Sequence, residues 1–145
     1  MSTTRRRRPG FTLIELAVVV GMLSILTGAT VVAFSAYKRH AQLAEPIGNV
    51  HAIYSLQLAH PVGPIACAPS PSEVPRATTS SWESTGGFRE IGFSPGELTR
   101  FQYEVVVDGD AFVVRARGDL DGDGVTSLIE LRSDQPDLRV EGAVE

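Results

Sequence analysis

Residues 5–36 read RRRRPGFTLIELAVVVGMLSILTGATVVAFSA, and this stretch decides the architecture of the chain. Four arginines and a proline lead to Gly10, and an apolar segment begins immediately after it. Glu15 is the single charged residue of that segment, because residues 16–36 contain no Asp, Glu, Lys or Arg. An uncharged run of this length predicts a helix that spans a membrane, for which about 20 residues are needed.

The order of these features distinguishes the segment from a secretory signal peptide. A signal peptide is cut behind its apolar region, after small residues. Here the evident processing point lies in front of the apolar region, at Gly10. A protease that cuts there leaves the apolar helix on the mature protein. We therefore expect a subunit that is first stored in a membrane and is later packed through its own helix.

Residues 10–16, GFTLIEL, resemble the processing signature of type IV pilins and of their relatives, the pseudopilins of type II secretion. The resemblance covers residues 5–36. It implies that prepilin peptidase cuts between Gly10 and Phe11 and that the new amine of Phe11 is methylated. It also implies an inner-membrane assembly platform, which adds the subunit to a homo-oligomeric filament together with other pilins.

Glu15 is the candidate assembly residue. A charge at the centre of a spanning helix costs about 2.5–3.5 kcal/mol on insertion scales, so such residues are usually functional. The resemblance implies that Glu15 pairs with the Phe11 ammonium of a neighbouring subunit, a group that exists only after cleavage. The alternative is that Glu15 lies near the helix end, reaches the interface and is merely tolerated.

The charge distribution predicts orientation and excludes some functions. The formal net charge is −4, and four of the 13 basic residues lie in the leader, so the mature chain carries −8. An acidic body argues against nucleic acid as a partner. Four arginines before the span, against Lys38 and Arg39 after it, predict a single pass with a cytoplasmic N-terminus. The sequence contains no catalytic constellation, and we expect a protein that is not an enzyme.

The rest of the chain predicts an α+β fold, with a long N-terminal helix packed on a small antiparallel sheet as in pilins. Residues 1–10 form the leader, 11–36 the transmembrane and assembly helix, and 37–60 its amphipathic continuation. Pro46 is expected to kink this continuation and Pro61 to end it. Apolar residues at helical spacing predict its buried face, namely Leu43, Ile47, Val50, Tyr54 and Leu58.

Residues 61–99, rich in Pro and Ser, predict a connecting loop that is anchored by its aromatic residues. Residues 100–145 predict the sheet. Alternating apolar residues over 101–107 and 111–117 flank the turn Asp108-Gly109-Asp110, which indicates a hairpin. Further strands are expected near residues 128–131 and 138–140.

Residues 119–130, DLDGDGVTSLIE, have the spacing of the calcium loop of an EF-hand. Gly124 occupies the position of the sharp turn. The candidate ligands are oxygens of Asp119, Asp121, Asp123, Val125 (backbone carbonyl), Ser127 (through water) and Glu130. The flanks read as strands, so we predict a lone calcium loop between strands. The alternative is a solvated acidic turn without an ion. Mutual repulsion of the four carboxylates disfavours this alternative.

Cys67 is the single cysteine, so the chain cannot close an internal disulfide. We expect an unpaired thiol, with lipid modification of Cys67 as the alternative. We also expect calcium to order the C-terminal region instead of a disulfide. By the same resemblance, the major pseudopilin of type II secretion also lacks a disulfide and uses calcium near its C-terminus.

Three function classes follow. The first is a structural subunit of a type IV pilus-like filament, present in the inner membrane and then in a periplasmic or extracellular fibre. The second is a pseudopilin of type II secretion. The third is a membrane-tethered minor pilin that binds DNA or an adhesion receptor.

Overall fold

The computed structural model describes residues 10–142, without the side chains of residues 29, 31–36 and 38–40. The arginine run of the predicted leader, residues 5–8, lies outside the described residues. The chain divides into two compact units, Met1–His40 and Ala41–Glu145.

The described part of the first unit is helical from Leu13 onward. The helix α1 spans Leu13–Ala59, and the apolar side chains that are described in its first-unit portion are exposed to solvent. Ser24 and Thr27 donate their hydroxyls to the carbonyls of Val20 and Leu23, at 2.8 and 2.7 Å, so these polar groups are satisfied within the helix. Among the residues that the structure describes, no helix combines the length and apolar character needed to cross a membrane. The transmembrane helix expected over residues 11–36 stays a prediction.

In the second unit, α1 continues through Pro46 and ends at Ala59, two residues before Pro61. The predicted buried face is confirmed for Leu43 and Val50, which are buried, and for Ile47 and Tyr54, which are partly buried against the core, but it is wrong for Leu58. Leu58 is 63% exposed, whereas Gln57 is 2% exposed. The buried residues of this part of the helix are Leu43, Pro46, Val50, Ile53 and Gln57. The apolar pattern selected Leu58 because Gln57, the neighbouring residue that is buried instead, is polar and gives no apolar signal.

Gln57 can be buried because both polar atoms of its side-chain amide are hydrogen-bonded. Its Nε2 donates to the carbonyl of Ile65 at 2.8 Å, and its Oε1 accepts the Ile65 backbone N–H at 2.7 Å. A buried amide that makes both bonds avoids the penalty of an unpaired polar group. The chain is thereby fixed as it leaves the helix.

In the described residues after α1, seven strands and one short helix follow. In chain order these are β1 (Cys67–Ser70), β2 (Ser80–Ser81), the helix α2 (Gly86–Glu90), β3 (Leu98–Thr99), β4 (Gln102–Asp108), β5 (Ala111–Gly118), β6 (Ser127–Arg132) and β7 (Arg139–Glu141). Five strands form a sheet in the order β1-β4-β5-β6-β7, antiparallel throughout, and β2 pairs with β3. The α+β class is confirmed.

The predicted hairpin is confirmed as β4 and β5. Asp108 pairs with Ala111 across a two-residue turn in which Gly109 has a φ of 61°, a conformation suited to glycine. Alternate residues of β5 are buried, among them Phe112 and Val114. Helix α1 packs on this face, where the rings of Tyr54 and Phe112 lie 5.2 Å apart.

The connecting loop predicted over residues 61–99 instead contains β1, β2, α2 and β3. Strand β1 is too short and too close to prolines to show an alternating pattern, and it forms because the free edge of β4 pairs with it. The expected aromatic anchors do pack, since Trp82 contacts Phe88 and Tyr103 with ring centroids 5.1 and 6.1 Å apart.

Candidate functional site

The predicted processing point lies just before α1 begins. Gly10 and Phe11 are exposed, and 86% of the Phe11 surface is open to solvent. A peptide bond in exposed, non-helical backbone is accessible to a protease. The described residues therefore present the Gly10–Phe11 bond in a form that an enzyme can reach.

Thr12 and Glu15 form a capping box at the start of α1. Glu15 Oε2 accepts the backbone N–H of Thr12 at 2.8 Å and its hydroxyl at 2.7 Å. In return the Glu15 backbone N–H donates to Thr12 Oγ1 at 3.3 Å. Such a reciprocal pair satisfies backbone donors that the first turn of a helix leaves free.

Our sequence reasoning considered Glu15 alone and missed Thr12. The signal was present, because Thr-x-x-Glu immediately before an apolar run is the pattern of a capping box. The structure thus places the Glu15 carboxylate at the N-terminus of the helix, where the helix dipole favours negative charge. A carboxylate held there and open to solvent is suited to accept a further donor, such as an ammonium group.

The acidic loop joins β5 to β6. Gly118 and Ser127 pair at the ends of the two strands, and the intervening residues form the loop. One carboxylate oxygen each of Asp119, Asp121 and Asp123 lies within 4.8 Å of the others. Asp119 is 3% exposed, whereas the other two side chains are exposed. Strands flank the loop on both sides, as predicted.

The aspartates also organise the loop backbone. Asp119 accepts the N–H groups of Gly122 and Gly124, at 2.7 and 3.1 Å, and Asp123 accepts the N–H of Val125 at 2.7 Å. Gly122 and Gly124 have φ of 82° and 92°, which glycine adopts without strain. The loop conformation is therefore defined by its own hydrogen bonds.

The backbone of Asp119 fixes the loop to a second segment. Its N–H donates to the Pro75 carbonyl at 3.1 Å, and its carbonyl accepts the Ala77 N–H at 2.7 Å. This isolated bridge between Arg76 and Asp119 is parallel. The first residue of the loop is therefore buried and held by two backbone hydrogen bonds.

Of the other predicted ligands, Glu130 is not grouped with the three aspartates. Ser127 is 4% exposed and donates its hydroxyl to the Gly142 carbonyl at 3.4 Å. The Val125 side chain is 60% exposed. Glu130 lies within β6, where its Oε2 accepts from Arg115 Nε at 2.8 Å. This hydrogen bond is the main reason that the pKa of Arg115 is raised above its ordinary value.

The donor set of the loop fits a hard cation. Three carboxylates converge, and calcium takes oxygen ligands from carboxylates, backbone carbonyls and water. The three aspartates would hold such an ion, which would neutralise their mutual repulsion. The predicted twelfth-position ligand, Glu130, is not among them.

Cys67 is buried in the core and makes no disulfide. Burial raises the pKa of its thiol to about 11, although a hydrogen bond from the Gln57 amide acts in the opposite direction. The reactive form of cysteine is the thiolate, which a raised pKa suppresses. The unpaired thiol predicted from the sequence is therefore present as a packing residue.

Residues 5–31 match the family model described as the prokaryotic N-terminal methylation motif. The chain thus carries the prepilin-type leader of type IV pilins and pseudopilins, as the sequence predicted. This motif points to a structural protein rather than an enzyme. Searches of curated proteins and of solved structures gave no match.

Proposed function

We propose that this protein is a structural subunit of a type IV pilus-like filament, processed between Gly10 and Phe11 and assembled through its N-terminal helix. The observation that carries the proposal is the methylation motif over residues 5–31, with Glu15 as the one charge in its apolar part. Prepilin peptidase would remove the leader, and the Phe11 amine would then be methylated.

The chemistry of α1 supports assembly through its N-terminal portion. Large apolar side chains there are exposed, including Leu16, Met22 and Ile25, and such a surface is stable in lipid or against other apolar helices. Glu15 lies in the first turn of the helix, and we propose that its carboxylate pairs with the Phe11 ammonium of a neighbouring subunit. We propose that the subunit waits in the inner membrane, with its N-terminus cytoplasmic, and then enters a periplasmic or extracellular filament through the assembly platform.

The test replaces Glu15 in cells that produce the full chain. For Glu15→Ala and Glu15→Val, we expect processed subunit to accumulate in the membrane fraction and sheared fibres to be lost. Ser24→Ala is the matched control, because the Ser24 hydroxyl bonds only within its own helix and its loss leaves the apolar surface intact. Normal sheared filaments from both Glu15 variants would refute assembly through this residue.

Mass spectrometry of the fibres tests processing separately. We expect the polymerised subunit to begin at Phe11 and to carry one added methyl group. Polymerised protein that retains the four leader arginines would contradict the proposed pathway, whatever the Glu15 variants do.

A second candidate is a pseudopilin of type II secretion. It is favoured by the acidic loop between β5 and β6 together with the lone, buried Cys67. A pseudopilin would be retained as a short periplasmic fibre and would support export of other proteins. Shearing intact cells and probing the supernatant separates the two functions, because surface fibres favour the pilin.

We further propose that the acidic loop binds calcium through Asp119, Asp121 and Asp123, with the Val125 carbonyl and water-linked Ser127 as additional oxygens. Binding to the folded state alone would stabilise it, by about 2.7 kcal/mol at a ligand concentration 100 times Kd. Unfolding of the full chain in detergent, with calcium or with chelator, tests this. Equal melting temperatures in the two conditions would refute calcium binding.

A further inference from the structure

The position of Glu130 in the sheet separates it from the acidic loop. It lies in the middle of β6, opposite Arg115 of β5 and Arg139 of β7. Its neighbours Ile129 and Leu131 are buried in the core, so Glu130 points to the opposite face of the sheet. The three convergent carboxylates lie in the loop itself.

Glu130 belongs to a group of charges that crosses three strands, which we call the arginine ladder: Glu104, Arg115, Arg117, Glu130 and Arg132. Arg115 joins the two carboxylates, at 2.8 Å to Glu130 and 3.4 Å to Glu104. Arg117 lies 2.9 Å from Glu104, and Arg132 lies 3.7 Å from Glu130. Each carboxylate therefore contacts two arginines.

Because the carboxylates of the ladder are largely buried, their ion pairs matter for the stability of the fold. The side chains of Glu104 and Glu130 are each only 12% exposed. A carboxylate that is largely withdrawn from water is tolerated when it is paired and hydrogen-bonded, and removing its partner is costly. If Glu130 turned both oxygens towards the loop, Arg115 would lose its shorter ion pair and keep only the 3.4 Å contact with Glu104, whereas Arg132 would keep Asp134.

From this geometry we infer that Glu130 is a structural residue of the arginine ladder, paired with Arg115 whether or not a cation occupies the acidic loop. The inference rests on the proposed calcium site and narrows its ligand set. The loop then offers three carboxylates, and backbone oxygens and water complete the shell. An EF-hand closes its shell with two oxygens of a glutamate at this position.

A double-mutant cycle tests the pairing directly. The full chain in detergent is melted in chelator as wild type, Arg115→Gln, Glu130→Gln and the double variant. Unfolding is followed by the fluorescence of Trp82, the single tryptophan, which packs in the aromatic cluster. We expect each single variant to lower Tm by about 5 °C. The Tm of the double variant should fall by clearly less than the sum of the two single decreases, because the two residues act as a pair. Additive shifts would overturn the inference.

The calcium response of further variants then distinguishes the role of Glu130 from that of the loop aspartates. We expect Glu130→Gln to keep the full calcium-induced rise in Tm and Asp121→Asn to lose it. Glu141→Gln, on the adjacent strand and half exposed beside Arg139, is the matched control. Loss of the calcium response in Glu130→Gln but not in Glu141→Gln would refute the inference. If the wild type shows no calcium response, the proposed calcium site fails, and the cycle in chelator still decides the role of Glu130.

Discussion

Thr12 and Glu15 bind each other at the first turn of α1, with Glu15 Oε2 2.7 Å from the Thr12 hydroxyl and 2.8 Å from its backbone nitrogen. The residue expected to recognise a neighbouring ammonium thus already has a local role. It closes the helix directly beside the proposed cleavage point. The carboxylate that caps the helix is therefore the same one that we propose for subunit recognition.

Replacing Thr12 should loosen the first turn of the helix. Thr12→Val keeps the shape of the side chain but removes the hydroxyl, so the Glu15 backbone N–H loses its acceptor. We expect the amide hydrogens of residues 13–16 to exchange roughly fivefold faster, in line with the loss of a cap. Thr12→Ser retains the hydroxyl and serves as the control. Equal exchange in both variants would show that the capping box does not hold the turn.

Adding a methyl group at Gly87 should destabilise the second unit. A Cβ there would collide with the Ala66 carbonyl oxygen and lie 2.9 Å from Cys67 Sγ, where α2 packs against β1. We expect Gly87→Ala to lower the free energy of unfolding by roughly 1–3 kcal/mol. Gly86→Ala is the matched control, because a Cβ at Gly86 meets nothing within 4 Å. Denaturant unfolding measured through Trp82 should separate the two variants.

Asp119 should stabilise the loop even without a cation. Its carboxylate is buried and accepts two backbone N–H groups, which Asp119→Ala would leave without their partner. We expect a loss of roughly 1–3 kcal/mol in the free energy of unfolding, measured in chelator. Asp121→Ala should cost less than about 0.5 kcal/mol, since Asp121 is exposed and makes one long contact of 3.4 Å. Equal losses of unfolding free energy in the two variants would show that the Asp119 hydrogen bonds do not stabilise the loop.

Cys67 should make stability fall at alkaline pH. Its pKa is about 11 in the folded protein against an ordinary value of 9.0, so the unfolded chain releases its proton first as the pH rises. The stabilising contribution is complete below pH 9 and is lost between about pH 9 and 11. Comparing unfolding at pH 8 and pH 10, we expect a smaller decrease for Cys67→Ala than for the wild type. An identical decrease in both proteins would contradict a buried neutral thiol.

Several parts of the molecule could be read from neighbouring residues in the chain. The end of α1 before Pro61, the turn at Gly109 and the alternation of β5 all depend on local backbone preferences and periodicity. The same is true of the processing motif, which is a continuous stretch of sequence.

Other parts depended on residues far apart in the chain. Gln57 faces the core because Ile65 offers it two backbone partners, and a polar residue gives no apolar signal at that position. Strand β1 exists because β4 has a free edge, since its own residues are too few to show a pattern.

The sequence by itself determined the apolar helix, its single carboxylate and the spacing of the acidic loop, because each is a property of consecutive residues. Only the tertiary structure decided which carboxylates meet. Asp119, Asp121 and Asp123 converge because glycine turns fold the loop back on itself. Glu130 instead faces Arg115, because strand pairing places the two side chains on the same face of the sheet, where their charges attract.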